Sequence, residues 1–205
     1  MYFFLPILYS ISANIDNFVV GIAYGIKKIK IGFYSNLLIA VVSTTGTYLS
    51  LLIGKIIGKL IFLNITNLIG SIMLILIGLW FILDFFLKKN QKIPSEKCDN
   101  DIKNYKELLD KPEKADLDNS GYITIKESIP LAFALTINNI GLGVAAGLAG
   151  LNILITTCLT FFFSILSIIL GYLIGNCCLS KIFGYYAPLA SGIIIVILGL
   201  IESFT

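Results

Sequence analysis

Residues 15–26 read Ile-Asp-Asn-Phe-Val-Val-Gly-Ile-Ala-Tyr-Gly-Ile, and residues 137–148 read Ile-Asn-Asn-Ile-Gly-Leu-Gly-Val-Ala-Ala-Gly-Leu. The two stretches lie 122 positions apart, and five of their twelve pairs are identical, which marks a duplication. Most of the remaining pairs exchange one aliphatic residue for another. Each copy sets a polar pair, Asp16-Asn17 or Asn138-Asn139, inside an apolar run. Each then places glycines four apart, Gly21/Gly25 and Gly143/Gly147. Carboxylates and carboxamides are costly inside a membrane span, so their default reading is functional. A duplicated pair predicts a transporter made of two structural repeats, with its site where the repeats meet.

The rest of the chain fits a membrane. It is 57% hydrophobic and 13% charged, with a mean hydropathy of +0.92. Soluble domains carry about 25% charged residues. Most of the charges crowd between Lys88 and Glu127, and the chain has no histidine and no arginine. The net charge of +3 comes from lysines flanking the spans. No basic patch with interleaved aromatics is present, so nucleic acid is not an expected partner. Cys98, Cys158, Cys177 and Cys178 have no zinc-ligand spacing and read as free thiols. The adjacent Cys177 and Cys178 cannot easily bridge each other. The first residues lack the basic n-region of a signal peptide, and Asp16 would interrupt its apolar core, so residues 1–26 read as a retained first span.

A span needs ~20 mostly apolar residues. Such stretches fall at about 3–26, 32–54, 65–87, 129–150, 153–175 and 185–203. The expected fold is an all-α integral membrane protein of six transmembrane helices, arranged as two inverted three-helix repeats. Residues 1–87 form the first membrane repeat, 88–128 a loop, and 129–205 the second repeat. Pro130 and Pro188 suit the first turns of the fourth and sixth spans. Residues 72–79 match residues 193–200, including Gly78 with Gly199. Gly54/Gly58 and Gly171/Gly175 have the spacing that permits close helix contact. By the positive-inside rule, Lys27, Lys28, Lys30, Lys88, Lys89, Lys92, Lys126 and Lys181 mark the cytoplasmic side against Lys55 and Lys59. Both termini would then face outward and the loop inward.

Asp16 is the one acid deep in the apolar spans, whereas Asp84 and Glu202 lie near span ends. Asn14 and Thr136 are further oxygen donors beside the pairs. Neighbouring helices add Ser43, Thr44, Thr45 and Thr47, and Thr156, Thr157, Thr160 and Ser164. This all-oxygen set suits hard divalent cations better than zinc or copper. The blander reading makes the same groups interhelical hydrogen bonds worth ~1 kcal/mol each. The repeat predicts that Asp16 and Asn17 meet Asn138 and Asn139 near the bilayer middle.

A second pattern sits ahead of the fourth span. Residues 116–127 read Asp-Leu-Asp-Asn-Ser-Gly-Tyr-Ile-Thr-Ile-Lys-Glu. They follow the calcium-binding EF-hand loop: Asp116, Asp118 and Ser120 at positions 1, 3 and 5, and Gly121 at the turn. Tyr122 offers its carbonyl at 7, Thr124 takes 9, and Glu127 is the bidentate ligand at 12. Ca²⁺ is therefore an expected ligand of this loop, and no organic cofactor is. Two features weigh against it: the loop is single, and Pro112 spoils the entering helix.

In these residues the chain resembles the sporulation membrane protein YtaF family, itself similar to MntP-type manganese efflux pumps and to LysE-type exporters. The resemblance rests on Ala-Asn-Ile-Asp-Asn-Phe-Val-Val-Gly-Ile-Ala-Tyr-Gly in the first span. Leu-Thr-Ile-Asn-Asn-Ile-Gly-Leu-Gly in the fourth and Asp-Asn-Ser-Gly between them complete it. It implies a secondary transporter that exports a divalent cation such as Mn²⁺ or Ca²⁺. Manganese exporters of this type tend to carry an aspartate in both copies, and here the second copy has Asn138. The alternative is a non-transporting membrane scaffold or calcium-sensing component of a sporulation assembly. An enzyme is not expected: there is no Ser-His or Cys-His pair, no nucleotide loop and no HExxH. The partners are the lipid bilayer and the cation; the residues leave the oligomeric state open.

Overall fold

The computed structural model describes residues 3–60, 63–90, 115–116, 120–176 and 180–203. Nearly all of them are helical. In chain order the elements are α1 (Phe4–Ala13), α2 (Ile15–Lys27), β1 (Lys30–Ile31), α3 (Phe33–Leu60), α4 (Leu63–Asn90), β2 (Tyr122–Ile123), α5 (Ile125–Leu148), α6 (Ile153–Gly175) and α7 (Ser180–Ser203). Among the described residues four helical stretches are long and apolar enough to cross a membrane. They are Phe4–Lys27, Phe33–Lys59, Leu68–Leu87 and Ile153–Gly175. A fifth is counted if Ile125–Ile137 and Asn139–Leu148, which meet at 42°, form one bent span. In α7 the apolar helix Leu189–Ile201 is shorter. Trp80, Leu154 and Phe162 are each at least 69% exposed, a surface that would aggregate in water and that lipid accepts.

The first span is not the continuous helix that its apolar run predicts. α1 stops at Ala13, and Asn14 takes φ −106° and ψ 7° before α2 begins. Asparagine competes with helical hydrogen bonding through its own side chain, which suits it to such a break. The break places Asp16 in the first turn of α2. There the exposed backbone N–H groups carry partial positive charge that favours a carboxylate. At its far end α2 closes on Lys28 in the left-handed region, with Lys28 N–H donating to Gly25 O and Ile29 N–H to Tyr24 O. Pro130 also departs from expectation. Because α5 starts at Ile125, the proline lies beyond the first turn, where it leaves the Lys126 carbonyl without its helical partner.

Three helix pairs dominate the packing: α2 along α6, α3 along α5, and α4 along α7. Small residues allow the first two backbones to touch. A Cβ on Gly21 would come within 2.6 Å of the Ile168 carbonyl, and one on Gly25 within 2.8 Å of Gly175 Cα. On the other seam Gly143 faces Ser50, and a Cβ on Gly147 would lie 3.1 Å from Gly54 Cα. Residue numbers rise together along both seams, so each pair is parallel. Along α4 and α7 they run oppositely, with Gly78 against Gly192 and Gly199 against Ser71.

Two apolar clusters form. Leu5, Tyr9 and Ala13 join Leu51, Leu74, Leu142, Ala145 and Leu198 in one. Val20 and Tyr24 join Ile39, Leu131, Leu135, Ile168 and Ile123 in the other. In both repeated motifs the polar residues fall between the two contributions, after Ala13 and before Val20, and after Leu135 and before Leu142. A polar belt therefore separates the clusters.

Candidate functional site in the polar belt

The belt is built at the α1–α2 break. Asn14 and Asn17 are fully buried. Asn17 Nδ2 donates to Asn14 Oδ1 and to Ser164 Oγ, both at 2.9 Å. Asn14 Nδ2 donates to Ser10 O at 2.7 Å and across to Thr160 O at 3.3 Å. Ser10 Oγ lies 3.2 Å from Thr160 Oγ1 and 3.3 Å from Thr156 O. The break thus joins its own two half-helices and fastens both to α6. Asn17 Oδ1 and Thr156 Oγ1 are buried with no partner. These are oxygens with lone pairs free to meet a cation.

The second copy is arranged differently. Thr136 Oγ1 donates back to Ala132 O at 2.7 Å within its own helix. Asn139 is 1% exposed, and neither its Oδ1 nor its Nδ2 has a partner. Ser43 Oγ and Thr44 Oγ1 on α3 are likewise buried and unpartnered. The side chains of Asn138, Asp84 and Glu202 lie outside the described residues.

Of the expected meeting of the two polar pairs, the Asn138 side chain lies outside the described residues. Asn17 bonds to α6, and no hydrogen bond reaches the Asn139 amide. The physical reason is the helix pairing: the glycine seams hold α2 against α6 and α5 against α3. Each motif therefore meets serine and threonine on its seam partner. Thr45, one of the expected neighbours, is exposed and bonds Val41 O instead. Ser10 was not anticipated, although it stands one helical turn before Asn14, a signal the sequence does contain.

The calcium-type loop lies ahead of α5. Asp116 is buried, its Oδ1 accepting from Ser120 N–H at 3.0 Å and its Oδ2 from Gly121 N–H at 2.9 Å. Gly121 has φ +74°, as the turn position demands. Ser120 Oγ donates to Tyr122 O at 3.0 Å. Glu127 Oε2 accepts from Thr124 N–H at 2.9 Å and from Thr124 Oγ1 at 2.7 Å, capping the start of α5. Asp118 lies outside the described residues, among which no group of three acidic, cysteine or histidine side chains converges. The loop does not stand alone. Tyr122–Ile123 pairs in parallel with Lys30–Ile31, Ser35 Oγ donates to Ile123 O at 2.8 Å, and the Lys30 amine lies 5.6 Å from the Tyr122 ring centre. Tyr24, at the end of α2, is buried within electrostatic reach of Asp116 and Glu127. Of the cysteines, Cys158 is an exposed free thiol, and Cys98, Cys177 and Cys178 lie outside the described residues.

The chain matches the family described as "Putative manganese efflux pump" over residues 2–82 and 105–201. It is 30% identical over 177 residues to "Probable sporulation protein YtaF" of Bacillus subtilis (strain 168), covering 83% of this chain and 84% of that protein. No solved structure matches.

Proposed function

We propose, since the chain belongs to the manganese efflux pump family, that it is a secondary exporter of a divalent cation such as Mn²⁺ or Ca²⁺. The carrying observation is Asp16 in the first turn of a helix broken inside the apolar region, beside the buried Asn14 and Asn17. Broken helices aimed at mid-membrane sites are how such transporters present partial charge to an ion. Asp16 supplies the full negative charge, and Asn17 Oδ1 and the threonines supply neutral oxygens. Asn138 and Asn139 would complete the site from the second copy. Such a ligand set carries one fewer charge than a site with two aspartates, and so favours weaker, readily released binding.

The reading includes two inverted repeats of three helices each. Supporting it, exchanging the halves turns the α2–α6 seam into the α5–α3 seam and maps α4–α7 onto itself. The parallel and antiparallel senses of the contacts agree with that exchange. The lysine distribution supports outward termini and a cytoplasmic loop. The calcium-type loop would bind Ca²⁺ through Asp116, Asp118, Ser120, Tyr122, Thr124 and Glu127, and so bear on α5 and, through β1, on α2. A sporulation role is proposed from the relative's name alone. The test is Mn²⁺ and Ca²⁺ accumulation in everted vesicles containing wild type or Asp16→Asn. Flux that is equal in the two would overturn the exporter reading and favour a scaffold.

A further inference from the structure

The two glycine seams are alike position for position and closed differently. On the first, Gly21 faces Gly171. Four residues earlier on α2 and seven earlier on α6, Asn17 donates to Ser164 Oγ at 2.9 Å. On the second, Gly143 faces Ser50. Four residues earlier on α5 and seven earlier on α3 stand Asn139 and Ser43. Here the bond is missing: both amide atoms of Asn139 and the Ser43 hydroxyl are buried without partners. An unpartnered amide surrounded by apolar helices is costly, and lipid offers it nothing. The chain keeps that cost beside a serine that could remove it.

We propose that Asn139 and Ser43 form, in the protein's other conformation, the hydrogen bond that Asn17 and Ser164 form here. The two bonds exchange as the cation site changes the side to which it opens. The inference rests on the transporter reading above and goes beyond it by naming the contacts that separate the two states. Each bond stabilises one state. Because the partners are chemically the same, asparagine amide to serine hydroxyl, the two states stay close in free energy. A transporter needs that balance, since a ligand shifts populations only by its differential affinity. The tight contacts further along, Gly25 on Gly175 and Gly147 on Gly54, keep each seam closed at one end while the asparagine end makes or loses its bond. Such rocking of one repeat against the other is the usual motion of inverted-repeat transporters.

The experiment reads seam distances by pulsed electron paramagnetic resonance. Its background has the four cysteines replaced by serine and spin labels at exposed sites on the asparagine end of each seam, Phe4 with Leu154 for the first and Tyr34 with Lys126 for the second. The expected result is two distance populations in wild type. Ser164→Ala depletes the population that holds the Asn17 bond, and Ser43→Ala enriches it, each by about fivefold. The double variant, with both bonds removed, returns close to the wild-type ratio. Opposite shifts in two conservative variants cannot come from general loosening. Shifts in the same direction, or one distance unchanged in all variants, would overturn the exchange. No flux is measured here: a protein that exchanges distances but moves no cation defeats the exporter reading and leaves the exchange standing.

Discussion

The two copies of the motif share a backbone pattern and differ in how they place polar groups. In the first, Asn14 breaks the helix and reaches across to α6, and Asp16 gains the N-terminal end of α2. In the second, Thr136 occupies the place of Asn14 and bonds its own helix, and the chain bends by 42° without stopping. Asn138 replaces the charge. The first copy is thus charged, broken and cross-linked to its neighbour; the second is neutral, bent and leaves Asn139 unpartnered. The two copies share their glycine spacing, and a few polar substitutions make the first the charged one.

The largest expected effect comes from making the copies alike in charge. Asp16→Asn should bring Mn²⁺ accumulation in vesicles down to that of empty vesicles, with folding and insertion retained. A carboxylate is the dominant attraction for a divalent cation, while a buried carboxamide of the same shape keeps the packing. Normal yield and thermal midpoint in detergent alongside lost flux is the expected pattern.

Next in size is the first seam itself. Gly171 backs directly onto Gly21 Cα, 3.0 Å from where a Cβ would stand, with the Phe18 carbonyl closer still. Gly141 has nothing within 4 Å. Gly171→Ala should destabilise the protein by about 1–3 kcal/mol, because the backbones must separate. Gly141→Ala should be neutral or slightly stabilising through helix propensity. Unfolding in mixed micelles measures both, and equal effects would mean that the seam is not the tight contact.

Much of this was legible in the sequence. The 122-residue offset marked the repeated motif, and long apolar runs marked the four helical stretches able to cross a membrane, or five with the bent pair. The seam glycines were visible as small residues four apart. The break at Asn14 was not, because hydropathy counts an unbroken apolar run and is blind to a single backbone torsion. Which helix faces which was also hidden, since α2 and α6 are nearly 150 residues apart and periodicity carries no partner information. That is why the bond from Asn17 to Ser164 had no signal in the sequence. The pairing of Lys30–Ile31 with Tyr122–Ile123 was invisible for a related reason. Strands of two residues have no alternation to read and exist because the loop docks there.

A smaller effect separates the equivalent positions Asn14 and Thr136. Asn14→Ala removes bonds to Ser10, Asn17 and Thr160 and leaves buried partners unsatisfied, costing about 1–3 kcal/mol. Thr136→Ala removes one bond within a helix, whose carbonyl keeps its backbone partner, and should cost about 0.5 kcal/mol. Similar losses at the two positions would mean that the copies are more alike than their hydrogen bonds indicate.

The smallest expected effect lies outside the belt, in the calcium-type loop. Glu127 has two possible tasks. Its Oε2 now caps α5 through Thr124, and calcium would need the same carboxylate as the twelfth ligand of the loop. Glutamine can still serve in a capping box, so Glu127→Gln keeps the helix start while removing the charge. Titration of the purified protein with Ca²⁺ should give a dissociation constant on the order of micromolar to millimolar in wild type. The variant should bind at least tenfold more weakly, with no change in thermal midpoint without calcium. Equal binding in the two would reduce the loop to a surface turn that fastens α5 to the α2–α3 connection. Lost binding with an unchanged rate of export would leave a calcium site that does not govern the pump. Lost binding with an altered rate would tie the loop to the α2 helix that carries Asp16, through Ile123, Ser35 and the buried Tyr24.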